Sequence, residues 1–227
     1  MKEIRLLKAD EIECRIGTIK ANGCSLLLYK DARVDMKILD ETFGLGNWQR
    51  THEVINGDLY CTIEIWNNEI KQWIKKQDVG TESFSEKEKG RASDSFKRAG
   101  FNVGIGRELY TAPFIWITPK DDKEFISDGT RYITKTTFKV KEIGYDKENR
   151  INKLVIVDNR NNTRFSLATP EEQDDRLDLM SKIQNLSIEK DIDLEEIKTK
   201  FKVDSLSDMT TEQMKKCIVA MERKQNE

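Results

Sequence analysis

Ser85-Glu-Lys-Glu-Lys-Gly-Arg-Ala-Ser-Asp-Ser-Phe-Lys-Arg-Ala-Gly-Phe-Asn-Val103 is the stretch from which the fold is read. Ser85 with Glu88 three residues on is a capping box, in which each side chain satisfies an orphan backbone donor of a first helical turn. Ala92, Phe96, Ala99 and Val103 then recur at helical spacing as one apolar stripe. At about 100° per residue, Lys87, Arg91, Asp94 and Arg98 fall opposite that stripe, with Lys97 on the flank. Gly100, Gly104 and Gly106 read as the end of the helix. The pattern predicts a helix that packs through one face and shows a mostly cationic ridge on the other. Such a ridge suits a polyanion, because each neutralised phosphate releases counterions. An ordinary solvated helix face carries the same charge pattern.

The residues just before this helix supply something for it to pack on. Leu59, Cys61, Ile63 and Ile65 alternate with Tyr60, Thr62, Glu64 and Trp66, the pattern of a half-buried strand. Asn56-Gly57 ahead of them is a two-residue hairpin signal, since both positions accept positive φ. Asn67-Asn68 marks the next turn, and Gln72 to Val79 gives a third strand. The expectation is an α+β fold, an antiparallel β-meander packed against a long helix.

Upstream, residues 8 to 20 read as a short helix with Ile12 and Ile16 on one side, and Ser25 to Tyr29 as a brief strand. Asp31 caps a helix running to about Phe43, with Val34, Ile38 and Leu39 inward and Gly44 and Gly46 as the stop. Downstream, Pro113 to Ile117 is a short apolar strand and residues 119 to 130 a polar loop. Thr136 to Ile143 and Leu154 to Asp158 read as a second hairpin, with Arg164 to Leu167 as a third strand.

Thr169-Pro170 breaks the chain. Thr169 caps, Pro170 suits the first helical position, and Glu172 completes a capping box. Three helical segments follow, at about 170 to 188, 193 to 202 and 210 to 225, with Asp193/Glu196 and Thr210/Gln213 repeating the cap logic. The expected division is residues 1–168 as the main domain and 169–227 as a small C-terminal helical subdomain.

A chain of 227 residues with 35% charged and 37% apolar content is globular but wet. No apolar run is long enough to span a membrane, and Met1-Lys-Glu-Ile-Arg lacks the apolar core of a signal peptide. Cys14, Cys24, Cys61 and Cys217 are scattered, without a Cys-x-x-Cys pair, and read as reduced thiols. His52 stands alone, which removes multi-histidine metal sites and histidine triads. The net charge of −2 argues against a nucleic-acid binder, but it is unevenly spread. Residues 1–168 carry 29 Lys+Arg against 26 Asp+Glu, a balance of +3, and residues 169–227 carry 10 against 15, a balance of −5.

Enzyme signatures are sparse. There is no phosphate-binding Gly-x-x-x-x-Gly-Lys-Ser/Thr loop, which argues against an ATP-driven motor. Gly104-Ile-Gly106 follows a helix where a dinucleotide fingerprint follows a strand, so it reads as a helix stop that lets Arg107 double back. The enzymatic rival is a metal-dependent nuclease built on Glu64, Asp78 and Glu82 with Lys75 and Lys76 nearby. Glu64, however, faces away from the apolar side of its strand, where a solvated carboxylate is the default. Trp48, Trp66, Trp73 and Trp116 are either core or base-stacking residues, and Tyr60 and Trp66 share the side of their strand that faces away from the core.

Several separate motifs then point the same way. Asp78-Val-Gly-Thr-Glu, the run Glu86 to Ala99, Gly104-Ile-Gly-Arg-Glu-Leu-Tyr and Ala112-Pro-Phe-Ile-Trp-Ile, preceded by Tyr29 to Asp40 and Gly46-Asn-Trp-Gln-Arg, resemble phage single-strand annealing proteins of the Sak type. These are relatives of the eukaryotic Rad-fifty-two and Rad-twenty-two annealing proteins. The resemblance spans about residues 5 to 118. It implies ATP-independent binding and annealing of single-stranded DNA in phage recombination and repair, with no covalent chemistry, no cofactor and no metal. It implies a ring or helical homo-oligomer in the cytoplasm of a bacterial host. A recombination adaptor that recruits a phage nuclease or single-strand-binding protein through the acidic tail is the alternative.

By the same resemblance, Lys97 and Arg98 match the basic pair that the family places against the DNA backbone. Arg91 and Lys87 extend that ridge, and Arg33, at the entry to the second helix, matches another basic position. Eukaryotic relatives carry a further basic residue three positions after the pair, where this chain has Phe101, and Arg107 is the candidate replacement. Lys89 lies nearer the apolar stripe, placed to snorkel or to touch a neighbouring subunit. A plainer role for Arg98 is a helix-surface pair with Asp94, worth about 0.2–0.5 kcal/mol.

Overall fold

The computed structural model describes residues 3–81 and 87–223. Ser85 and its cap, and Glu82, lie outside the described residues, as do the side chains of Lys87 and Lys89. The chain divides into two compact units, Met1–Leu167 and Ala168–Glu227. The fold is α+β, with antiparallel sheets and both long and short helices.

Turn chemistry fixes the meander. Asn56 and Gly57 take φ of +54° and +88°, the left-handed values a tight hairpin needs. They join β3 (Trp48–Ile55) to β4 (Asp58–Asn67), and β4 pairs in turn with β5 (Gln72–Val79). Cys61, Ile63 and Ile65 of β4 turn inward and are buried. The long helix (Lys87–Val103) lies across β4 and β5 and buries Phe96 and Ala99 completely.

The helix before the meander (Ala32–Phe43) starts where its cap residue predicts. The Asp31 side chain accepts from the Arg33 amide, and Gly44 closes the other end. Ile38 and Leu39 are buried in one core with Phe96 and Ile63. In chain order the two helices are α1 and α2.

Residues 8–20 are not a helix but a single 3-10 turn, Ala9–Glu11, followed by β1 (Glu13–Lys20). Ile12 and Ile16 fit helical spacing, but four apart also places two residues on one face of a strand. The β-branched Ile16, Thr18 and Ile19, with Gly17 among them, disfavour helix. Pairing with β2 (Gly23–Tyr29) across the Ala21-Asn22 turn then decides the matter. Gly17-Thr18 forms a bulge in that ladder, where the Thr18 amide donates to Ser25 Oγ at 2.9 Å.

Six further strands complete the unit: β6 (Ile115–Ile117), β7 (Ile126–Ser127), β8 (Tyr132–Ile133), β9 (Phe138–Tyr145), β10 (Ile151–Asp158) and β11 (Thr163–Leu167). The second hairpin thus forms, but it joins β1 and β2, not the meander, in one six-stranded sheet of order β11-β10-β9-β1-β2-β6. Its outer strands β11 and β6 approach each other, so the sheet curls toward closure. Arg164 of β11 fastens the seam by donating to the Thr118 carbonyl at 2.7 Å and to Glu124 at 2.6 Å. The expected polar loop at 119–130 is therefore not wholly irregular, since β7 pairs with β8 and Glu124 is tied into the seam.

The second unit is built from α3 (Pro170–Glu189), α4 (Leu194–Phe201), a 3-10 turn and α5 (Thr211–Arg223). Thr169 and Glu172 form the reciprocal capping box, and Thr210 with Gln213 forms another. Asp193 caps α4 by accepting from the Glu195 amide. Ile183, Ile197, Met209, Met214 and Cys217 make a core of their own. Among the described residues no helix is long and apolar enough to cross a membrane. All four cysteines are free thiols, with Cys24, Cys61 and Cys217 buried.

Candidate nucleic-acid interface

α2 is positioned by contacts that consume several of its polar groups. Trp48 stacks on Phe96 with ring centroids 6.4 Å apart, and Arg50 lies 4.4 Å over the same ring. His52 Nε2 donates to the Ala92 carbonyl at 3.2 Å. These three β3 residues face the helix. Gly100 lies inside the helix and does not end it. It is the point where α1 and α2 touch, since a Cβ there would sit 2.5 Å from Asp35 Oδ1. The helix stops four residues later at Gly104, whose amide donates back to Gly100 O at 3.0 Å.

Asp35 is fully buried and bonds Lys30, itself buried at the end of β2. Burial pushes the Asp35 carboxyl up to about 6 and the Lys30 ammonium down, each shift partly offset by the opposite charge of its partner. Lys30 Nζ also reaches the Lys97 carbonyl at 3.5 Å, so this pair ties the β2 end, α1 and α2 together.

Beyond this anchor the C-terminal half of α2, β2 and the turn Arg107–Thr111 enclose a cleft of about 600 Å³. Leu27, Tyr29, Lys97, Arg98, Phe101 and Tyr110 are among its lining residues. Lys97 and Arg98 thus lie together, on the wall of a concave site. Arg98 does not pair with Asp94. Its Nε donates to Asp78 Oδ1 on β5 at 3.2 Å, because the helix crosses the sheet there, while Asp94 accepts from the Thr81 amide at 2.9 Å.

The remaining ridge residues scatter. Arg91 leans over the hairpin turn, donating to Gly57 O at 2.9 Å and pairing with Asp58 at 3.3 Å. Among the described residues of α2, carboxylates and a carbonyl of the underlying hairpin and sheet engage Arg91 and Arg98. Arg107 doubles back as its position after Gly104-Ile-Gly106 suggests, donating to the Phe101 and Asn102 carbonyls at 2.9 and 3.0 Å. It satisfies the open end of the helix and stands 5.6 Å from the Phe101 ring. Arg33 is exposed and pairs with Asp31 at 2.8 Å. That pairing, with a lesser influence from Lys97, holds the Asp31 carboxyl below its usual range, and Arg33 is not among the residues that line the cleft.

Of the tryptophans, Trp116 lies against Gly23, where a Cβ would meet its ring at 2.3 Å, and Trp48 is committed to Phe96. Trp66 and Trp73 form an edge-on pair on the sheet face away from α2. Sequence periodicity missed Tyr110 and Phe101. Both follow or flank the helix stop, where no period reports their direction. Glu64 is not solvated: it is buried between Lys75 and Gln49, its carboxyl held below the usual range by Lys75 first and Gln49 second. Asp78 meanwhile is taken by Arg98 and Asn102. Among the described residues no group of three or more His, Cys, Asp or Glu is arranged to hold a metal ion.

No protein-family model matches this chain, and no curated protein matches it.

Proposed function

We propose that the chain binds single-stranded DNA along the α2 cleft and anneals complementary strands without ATP. The observation that carries this reading is the juxtaposition of Lys97 and Arg98 on the wall of one open, aromatic-lined cleft. Two cations on a rigid helix hold phosphate without reading bases, which leaves base edges free to pair. Neutralised backbone also lowers the repulsion between two strands. The motif resemblance adds the order of the elements around this cleft. Each protomer offers few cations, so weak single sites gain from repetition along a homo-oligomeric ring or helix. The outer edges of β3 and β5 lack a strand neighbour among the described residues and suit such joining. No covalent step, cofactor or metal is required, and the setting would be recombination and repair in the host cytoplasm.

A second reading rests on the separate core and −5 charge of the C-terminal unit. That unit would recruit a nuclease or a single-strand-binding protein rather than touch DNA.

The test is annealing of two complementary oligonucleotides, followed by fluorescence quenching, in EDTA and without nucleotide. Acceleration over the protein-free rate is expected. Absence of acceleration despite a folded protein contradicts the proposal, and strand cleavage abolished by EDTA would point to the nuclease instead.

A further inference from the structure

The cleft beside α2 is as much aromatic as cationic. Arg98 is engaged by Asp78 and Lys30 by Asp35. Lys97 is the lining cation whose side chain has no hydrogen-bond or ion-pair partner among the described residues. Phosphate must compete with carboxylates for the others, which limits what charge alone contributes.

Tyr110, by contrast, is 81% exposed and lines the cleft, so its ring is open to a ligand there. It is not adrift. Its ring centroid stands 4.9 Å from that of Phe101, inclined by 59°, and Phe101 is in turn faced by the Arg107 guanidinium. Arg107 is itself fixed on two carbonyls of the helix end. Tyr110 is thus an open ring propped against Phe101, in a cleft whose wall carries Lys97.

We propose that this cleft seats one nucleobase of the bound strand on Tyr110, while Lys97 holds the adjoining phosphate. This rests on the single-strand reading and deepens it. Charge complementarity selects the occupant: a nucleotide joins an apolar π-face to an anion a few ångströms away, as the cleft joins Tyr110 to Lys97. Every base has such a face, so the seat tolerates sequence. A volume of about 600 Å³ lies within the range of small-molecule sites. One base per protomer would be withdrawn from pairing, so the strand is anchored at intervals with the bases between anchors free.

The experiment compares a deoxythymidine oligonucleotide with an abasic sugar–phosphate oligomer of equal length and charge. Both are titrated into the full-length protein, into Tyr110→Ala and into Tyr110→Phe, with the mass of each DNA-free protein measured. The wild type is expected to prefer the base-bearing strand by about tenfold. Tyr110→Ala should lose most of that preference and Tyr110→Phe should keep it. If the wild type binds neither ligand, the single-strand reading fails and the base seat with it. Equal binding of both by the wild type leaves that reading intact and overturns the base seat. A preference unchanged in Tyr110→Ala overturns it too. If that unchanged preference comes with an altered mass, the ring belongs to a contact between copies of the chain.

Discussion

Gly100 shows how much one missing methyl group can decide. The Lys30–Asp35 pair sits where α1 and α2 cross, and Asp35 Oδ1 occupies the space a Cβ would need. Asp35 is pinned by Lys30 and cannot swing aside cheaply. Gly100→Ala should therefore destabilise by about 1–3 kcal/mol despite its better helix propensity. A urea midpoint equal to wild type would show that the crossing is looser than described. Phe96→Ala should cost about 3–5 kcal/mol, because that ring is fully buried between Trp48 and Arg50. Thermal unfolding followed by circular dichroism reads it, and a near-native midpoint would contradict the packing. The sequence already marked Phe96 as inward through its spacing with Ala92 and Ala99. It could not mark Gly100 as a contact, because the residue that needs the space lies 65 positions away, at Asp35.

Elements with local causes were legible and those with distant causes were not. The Asn56-Gly57 hairpin, the Asp31 cap and the Thr169/Glu172 box all act within a few residues, and each appears where the sequence places it. β1 looks helical in sequence because its partner β2, and the sheet that receives both, lie beyond any local window. The partners of the ridge are equally hidden from a local window: Asp58 and Asp78, which engage Arg91 and Arg98, come from the turn and strand beneath the helix. The seam between β6 and β11 depends on charge in a way pH can test. Burial pushes Asp158 up, but Lys120 and the Asn162 and Arg160 amides more than reverse this and hold it well below the usual carboxylate range. A carboxyl with a lowered folded value contributes stability above its unfolded value, and that contribution is lost as pH falls through the folded one. Glu11, lowered to about 2 chiefly by Arg5, adds to the same acid limb. Asp35, raised to about 6, acts in the opposite sense and favours the acid side. Stability should thus fall as pH drops below about 4, and Asp158→Asn should flatten that fall. Denaturant midpoints from pH 5 down to pH 2 measure it, and parallel profiles for the two proteins would contradict the assignment.

At the scale of the whole molecule, two units with separate cores invite a division of labour. Truncation after Ala168 should leave oligonucleotide binding and annealing in vitro near wild type and lower recombination in cells. Loss of binding by a truncated protein that still folds would place DNA contacts in the acidic helices. Mass in solution should exceed that of one chain at micromolar concentration, and a monomer unchanged by single-stranded DNA would contradict joining through the β3 and β5 edges. The central claim, that the α2 cleft carries the strand, is tested most directly by a salt titration of oligonucleotide binding with Lys97→Ala/Arg98→Ala. Circular dichroism serves as the folding control, since both side chains lie off the buried stripe of Phe96 and Ala99. Single-strand affinity falls with salt at a log–log slope of about −0.7 per neutralised phosphate. The double variant should bind more weakly across all sequences alike, with a slope flatter by about 0.7 for each phosphate contact removed. A folded variant whose affinity and slope both match wild type would contradict the account and make this helix an ordinary solvated face.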